Sequence, residues 1–265
     1  MEYFITCGAI PVYVSDTKKG ERTVVLLHGY LETLAVWEDF VHLLAPHFRV
    51  LRIDLPGHGL SGTNSEVNTV DFSAMILCEV LQKSGVSEAI VAGHSMGGYI
   101  AQAFAENYPE AVLGLSFFHS TPNPDSEEKK KDRDREIALI REGKISLIAK
   151  QSFSKMFAKK SQDCLKEKIT ELEELAEIHD PEGIVACLEG MKTRPDRNNW
   201  LATFKKPLLF VFGKKDEYIP EETAQNIAAK FPQGQVLWLE NSGHCGFIEE
   251  QDVVADRFIE FVRSI

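Results

Sequence analysis

No apolar run in this chain approaches the roughly 18 residues needed to cross a membrane, so no membrane span is expected. Positive charge is in deficit: 29 Lys and Arg stand against 40 Asp and Glu, a formal net charge of −11. Binding to phosphate backbones or anionic lipid needs concentrated Lys and Arg, so nucleic acid and anionic membrane surfaces are excluded as partners. A small-molecule substrate fits the composition. The sequence gives no sign of oligomeric state. Cysteine is scarce. The five (Cys7, Cys78, Cys164, Cys187, Cys245) are scattered, with no C-x-x-C pair and no Cys/His metal spacing. Neither a disulfide framework nor a metal site is expected; reduced thiols in a cytoplasmic protein are. The opening residues MEYFITCGAIPVYV lack a basic stretch and a long apolar core, so no secretory signal is expected. Internal repeats and low-complexity linkers are also missing.

At 265 residues and 44% apolar content, the chain can build one large α/β domain or two small ones with a real core. Its apolar runs are short and continuous: Thr23–Leu27, Phe48–Ile53, Ala89–Ala92, Val112–Phe118 and Pro207–Phe212. Continuous runs bounded by turn residues suggest strands buried on both faces, as in a parallel sheet. Helical spacing falls between them, as at Trp37, Phe40, Val41 and Leu44, or Val254, Phe258, Phe261 and Val262. Alternating strand and helix predicts a doubly wound, mostly parallel α/β sheet. From about Thr121 to Trp200 the alternation stops. A dense mixed-sign run follows Asp125 and reads as the solvated face of a helix. Asp180-Pro181 has the order of a helix start. Three to five helices are expected, inserted as residues 121–200 between a core of residues 1–120 and 201–265.

One turn stands out. GHSMGG (93–98) follows the apolar run 89–92, where a strand would hand over to a helix. A serine there needs a base, an acid to orient the base, and donors for an oxyanion. Small residues at −2 and +2, here Gly93 and Gly97, let the strained turn close. In chain order the partners follow. Asp216 comes just after the run 208–212, and His244 lies in the loop before the last helix. The N–H groups of Tyr30 and Met96 are the candidate oxyanion donors. All would sit at the carboxyl ends of parallel strands, where open α/β sheets bind ligands.

HGY (28–30), DLPGHGLS (54–61), GHSMGG (93–98), GKKDEYIP (213–220) and ENSGHCGFIEE (240–250) together resemble the α/β-hydrolase fold family with a helical cap, over nearly the whole chain. The resemblance implies Ser95 as nucleophile, His244 as base, Asp216 as acid, and Tyr30 and Met96 as oxyanion donors. It implies no cofactor. Asp125 is a rival for the acid. His28 and His58 read as structural, while His42, His47 and His179 read as ordinary surface or helix histidines. His119 is a candidate pocket residue, and Phe153 and Phe157 are candidates for either cap core or pocket wall. Arginines 133, 135, 141, 194 and 197 are expected mostly on solvated faces, with one able to hold a substrate carboxylate. The leading function is a serine hydrolase cleaving a small ester or thioester, or a related acyl carbon–carbon bond, through an acyl-enzyme. A lyase like the menaquinone-pathway enzyme of this fold, and a non-catalytic ligand receptor, are the alternatives.

Overall fold

The computed structural model describes residues 1–63 and 66–265. Eight strands form one sheet: β1 (Glu2–Cys7), β2 (Ile10–Asp16), β3 (Thr23–Leu27), β4 (Arg49–Ile53), β5 (Ala89–His94), β6 (Val112–Phe118), β7 (Leu208–Gly213) and β8 (Gln235–Leu239). Their order is β1-β2-β4-β3-β5-β6-β7-β8. β1 and β2 pair antiparallel with each other, and β2 pairs antiparallel with β4; every other pairing is parallel. β3, β5 and β7 are buried at every residue, which requires cover on both faces of the sheet. Among the helices, α1 (Glu38–Leu44) packs on α12 (Gln251–Arg263), and α2 (Val70–Lys83) on α3 (Met96–Asn107).

Strand order reverses between β3 and β5. β3 pairs with β4 on one side and β5 on the other, with Leu27 level with Gly93. The chain leaving β3 and the chain leaving β5 therefore emerge side by side, at the crevice where such sheets bind ligands.

Between β6 and β7 lie six helices, one more than the upper end of the expectation: α4 (Glu127–Arg141), α5 (Ile145–Met156), α6 (Lys159–Cys164), α7 (Lys166–Glu177), α8 (Pro181–Lys192) and α9 (Asn198–Thr203). The last straddles the expected boundary at residue 200. Two starts follow their sequence signals. The Ser126 side chain accepts from the Lys129 N–H, and Asp180 accepts from the Glu182 N–H with Pro181 in the first turn. The charged run is not uniformly solvated. Asp125 and Arg133 are buried and paired, and a second arginine, Arg194, donates to Asp125 at 2.6 Å. The reason is mutual neutralisation: none of these charges would be stable buried alone. No helix among the described residues is long and apolar enough to cross a membrane.

Candidate active site

β5 ends at His94, and α3 begins at Met96. Ser95 alone makes the turn, with φ 48° and ψ −113°. A non-glycine residue in that region is strained, and such strain gathers at functional sites. Five described non-glycine residues have positive φ, and three of them (Leu31, Ser95, His119) follow the carboxyl ends of β3, β5 and β6. The turn is held by Ser95 N–H donating to Phe118 O at 3.0 Å and Ser120 Oγ donating to Ser95 O at 2.7 Å. Its flanks must be bare. A Cβ on Gly93 would lie 2.3 Å from the Gly97 carbonyl carbon, and one on Gly97 would lie 2.3 Å from Leu27 O. Ser95 remains partly exposed in an otherwise buried stretch.

Asp216 and His244 come together as expected. His244 Nδ1 lies 2.8 Å from Asp216 Oδ2, both buried. Asp216 Oδ1 accepts the backbone N–H groups of Tyr218 (2.7 Å) and Ile219 (2.9 Å). Burial pushes the Asp216 pKa up, but the charge of His244 and hydrogen bonds from His119 and His244 outweigh it, holding the carboxyl well below its ordinary range. An ionised Asp216 can only accept, so His244 Nδ1 carries the proton and Nε2 is left as the basic nitrogen. The His244 N–H donates to Met156 O at 2.6 Å, so the end of α5 fixes the loop that carries it.

His119 lies against Asp216. It is fully buried, its Nε2 accepts the Gly246 N–H at 3.1 Å, and its Nδ1 faces Asp216 Oδ2 at 3.3 Å. With Nε2 accepting, Nδ1 must be the donor, so His119 steadies the same carboxylate oxygen as His244. Burial lowers its pKa to about 4 against the pull of Asp216, so it is neutral at pH 7. Phe153 and Phe157 are buried in the apolar core, the blander of their two readings. Asp125 faces Arg133 and Arg194 rather than a histidine. Arg197, also buried, pairs with Asp71 and Glu106. His179 is buried rather than superficial. It accepts from the Gly59 N–H and faces Leu31 O, tying the helical segment to two core loops. His28 is structural as expected, accepting from the Leu55 N–H and facing Gly29 O.

Tyr30 follows β3 beside the turn, and its N–H makes no hydrogen bond to a described residue. Met96 opens α3, where the first N–H groups have no intrahelical acceptor. Both are free to face a developing negative charge. Two groups of three side chains have donor atoms within 4.8 Å of one another: Glu32 with His94 and Cys245, and His119 with Asp216 and His244. In each, the ring nitrogens of His94 and His119 are already engaged in hydrogen bonds. Burial raises the Cys245 thiol pKa well above its ordinary value, which makes it a poor nucleophile.

Residues 22–139 match the family described as alpha/beta hydrolase fold, and residues 184–264 match the one described as TAP-like protein. An esterase from Thermogutta terrifontis superposes with a TM-score of 0.94 at 28% identity, covering 100% of this chain and 98% of that one. The chain has the α/β hydrolase fold. This hydrolase is 26% identical over 274 aligned positions to the pimeloyl-[acyl-carrier protein] methyl ester esterase of Yersinia pseudotuberculosis, covering 99% of this chain and 97% of that protein. It is 28% identical over 254 positions to the enzyme of the same name from Xanthomonas campestris, covering 91% and 95%. The enol-lactonase from Burkholderia xenovorans shares the fold at 19% identity, with a TM-score of 0.90 and coverage of 98% and 100%. The hydrolase is an enzyme of the carboxylesterase type. Glu32, His94 and Tyr218, whose ring centroid lies 4.9 Å from that of His244, also belong to the site. Sequence reading missed them because only folding brings them beside the histidine.

Proposed function

We propose that this chain hydrolyses carboxylic esters of small alcohols through an acyl-enzyme on Ser95. His244 Nε2 takes the serine proton as Oγ attacks the ester carbonyl. The N–H groups of Tyr30 and Met96 receive the oxyanion, whose stabilisation is worth most in a site shut off from water. As the tetrahedral intermediate collapses, the alcohol leaves with the proton from His244. Water then attacks the acyl-enzyme, giving up a proton to His244; that proton passes to Ser95 Oγ as the acyl–oxygen bond breaks, and the carboxylic acid leaves and ionises in solvent. Asp216 holds the histidine tautomer throughout and offsets the imidazolium charge.

The observations that support this reading are the strained turn at Ser95, whose neighbour His94 faces the His244 carbonyl at 2.8 Å, and the buried, tautomer-fixed His244–Asp216 pair. Methyl or other small-alkyl esters are the favoured class, on the names of the relatives. Residues 121–200 act as a cap that sets acyl preference, supported by the Met156 contact to His244 and by their separation from the sheet in sequence. A cytoplasmic setting is supported by the five free thiols. Elimination by the same triad has less support. It would want cap arginines open to an anionic substrate, whereas Arg133, Arg194 and Arg197 are tied to carboxylates.

The test is a panel of short-chain p-nitrophenyl and methyl esters run with wild type and Ser95→Ala. Alanine fits the turn as serine does, so kcat should fall by about 10⁴-fold or more while the protein stays folded. A Ser95→Ala protein within tenfold of wild type would remove Ser95 from the chemistry.

A further inference from the structure

Beneath the candidate triad lies a second histidine–carboxylate pair. Glu32 and His94 are almost completely buried. Glu32 Oε2 accepts the Gly29 N–H at 2.5 Å and faces His94 Nδ1 at 2.9 Å. His94 Nε2 faces the His244 carbonyl oxygen at 2.8 Å. Each end of this short chain belongs to a different part of the site. Gly29 precedes the Tyr30 N–H, His94 precedes Ser95, and the carbonyl belongs to His244 itself.

The chemistry of the partners dictates a charge state. A carbonyl oxygen can only accept, so His94 Nε2 must carry a proton. Glu32 Oε2 already accepts one N–H, and a carboxylate there can only accept another. Both nitrogens of His94 therefore face acceptors, the arrangement of an imidazolium. Burial pushes the Glu32 pKa up and the His94 pKa down, but their mutual attraction and hydrogen bonds reverse both, leaving Glu32 below and His94 above its ordinary value. Glu32 Oε1 is buried without a protein partner, so charge compensation falls on His94 and the Gly29 N–H. The other groups facing His94 are His244 at 5.0 Å and His119 at 6.2 Å between ring centroids, the rings of Trp37 and Phe247, the Cys245 thiol close to Glu32, and Asp216 beyond His244.

Resting on the serine-hydrolase reading above, we infer that Glu32 and His94 form a buried carboxylate–imidazolium pair that positions the oxyanion loop, the nucleophile turn and the His244 loop relative to one another. They touch no substrate. Their action runs through the backbone of Gly29, Ser95 and His244, the three segments whose mutual placement decides how well attack and oxyanion binding coincide. A neutral pair of similar size would fill the space but would lose the charge-assisted bonds that hold the spacing.

The test has two arms. In the first, histidine labelled with ¹⁵N is followed by NMR at pH 8 in the Ser95→Ala protein. One ring should still carry protons on both nitrogens, and Glu32→Gln should convert that ring to a neutral tautomer protonated at Nε2. A doubly protonated signal that is missing before the Glu32 change would overturn the inference without any appeal to activity. In the second arm, Glu32→Gln is assayed on a p-nitrophenyl ester in the protein that keeps Ser95. Misplacement of a reacting group by an ångström or less should lower kcat by about 10- to 100-fold, with KM changed less than about twofold. An unchanged kcat, or a loss confined to KM, would overturn a positioning role. If Glu32→Gln fails to fold, the NMR arm still decides the charge state. Activity that survived Ser95→Ala would defeat the serine-hydrolase reading instead, and would leave the NMR result standing.

Discussion

β3, β5 and β7 are buried at every residue, whereas α4, the longest helix of the inserted segment, buries only Arg133, Ile137 and Ile140 among its 15 residues. The sheet gains its order from continuous apolar burial at about 25 cal/mol per Å². The insertion adds to its apolar contacts a buried ionic knot, Asp125 with Arg133 and Arg194, and clamps such as His179 that reach back to the core. The difference teaches where each task resides. The sheet edge carries Ser95, His119, Asp216 and His244 on turns that packing leaves no room to vary. The insertion meets that edge at the Met156 carbonyl, which accepts the His244 N–H.

The sharpest way to break this contrast is a pair of equivalent substitutions. Asp216→Asn should lower kcat by about 10⁴-fold, because the amide favours the wrong tautomer of His244 and cannot balance its charge. Asp125→Asn, in the insertion, should lower stability by about 3 kcal/mol, because it uncouples two buried guanidinium groups. Its kcat, measured on the folded fraction, should stay within an order of magnitude of wild type. Urea melts and ester assays on both variants check this. If the two outcomes were exchanged, Asp125 would be the acid.

pH separates the regions next. Burial lowers the pKa of His28 and of His119 to about 4, with backbone Gly29 and Asp216 pulling the other way. Their unfolded value is about 6.5. The unfolded chain therefore binds protons that the folded protein refuses. Stability is full above about pH 6.5 and falls as pH drops toward 4, by up to about 3 kcal/mol for each histidine. His58 and His179 act in the same direction, and His94, whose pKa is raised, acts in the opposite one. Asp125 has a lowered pKa, so its contribution is retained until pH falls below its ordinary value of 3.8. Urea midpoints at pH 7.5, 5.5 and 4.5 should thus decline through the buried histidines before the ionic knot of the insertion is touched. A flat profile over that range would contradict the neutral, buried state assigned to them.

The smallest contrast is between two glycines. Gly97→Ala would push a methyl against Leu27 O in the Ser95 turn, costing about 1–3 kcal/mol and disturbing the serine. Gly143→Ala follows α4 with open space around it and a φ of 77°, so only backbone strain of about 1 kcal/mol is expected, with esterase activity kept. Thermal melts paired with kcat measurements distinguish them. Equal loss of activity in both would mean that the insertion is as rigidly coupled to the chemistry as the sheet is.

Local pattern determined a good deal of this protein. Short continuous apolar runs bounded by turn residues suggest strands covered on both sides, and strands appeared where the runs predicted them. Bare glycines around Ser95 marked the strained turn, because a turn that tight leaves no room for a Cβ. The order of Ser95, Asp216 and His244 followed from each lying just beyond a strand's carboxyl end, where a parallel sheet gathers its loops. Tertiary structure decided what depends on residues meeting from far apart. His119 looked like a pocket residue, yet Gly246 and Asp216, distant in sequence, take both its nitrogens. Arg133 sat in a run of charge that should be solvated, yet Asp125 neutralises it in the interior. The pairing of Glu32 with His94 crosses 62 positions of chain. Periodicity reports which face of an element is buried. It carries no record of which polar group waits on the other side, and the protonation state of His119 is set by burial and that partner together.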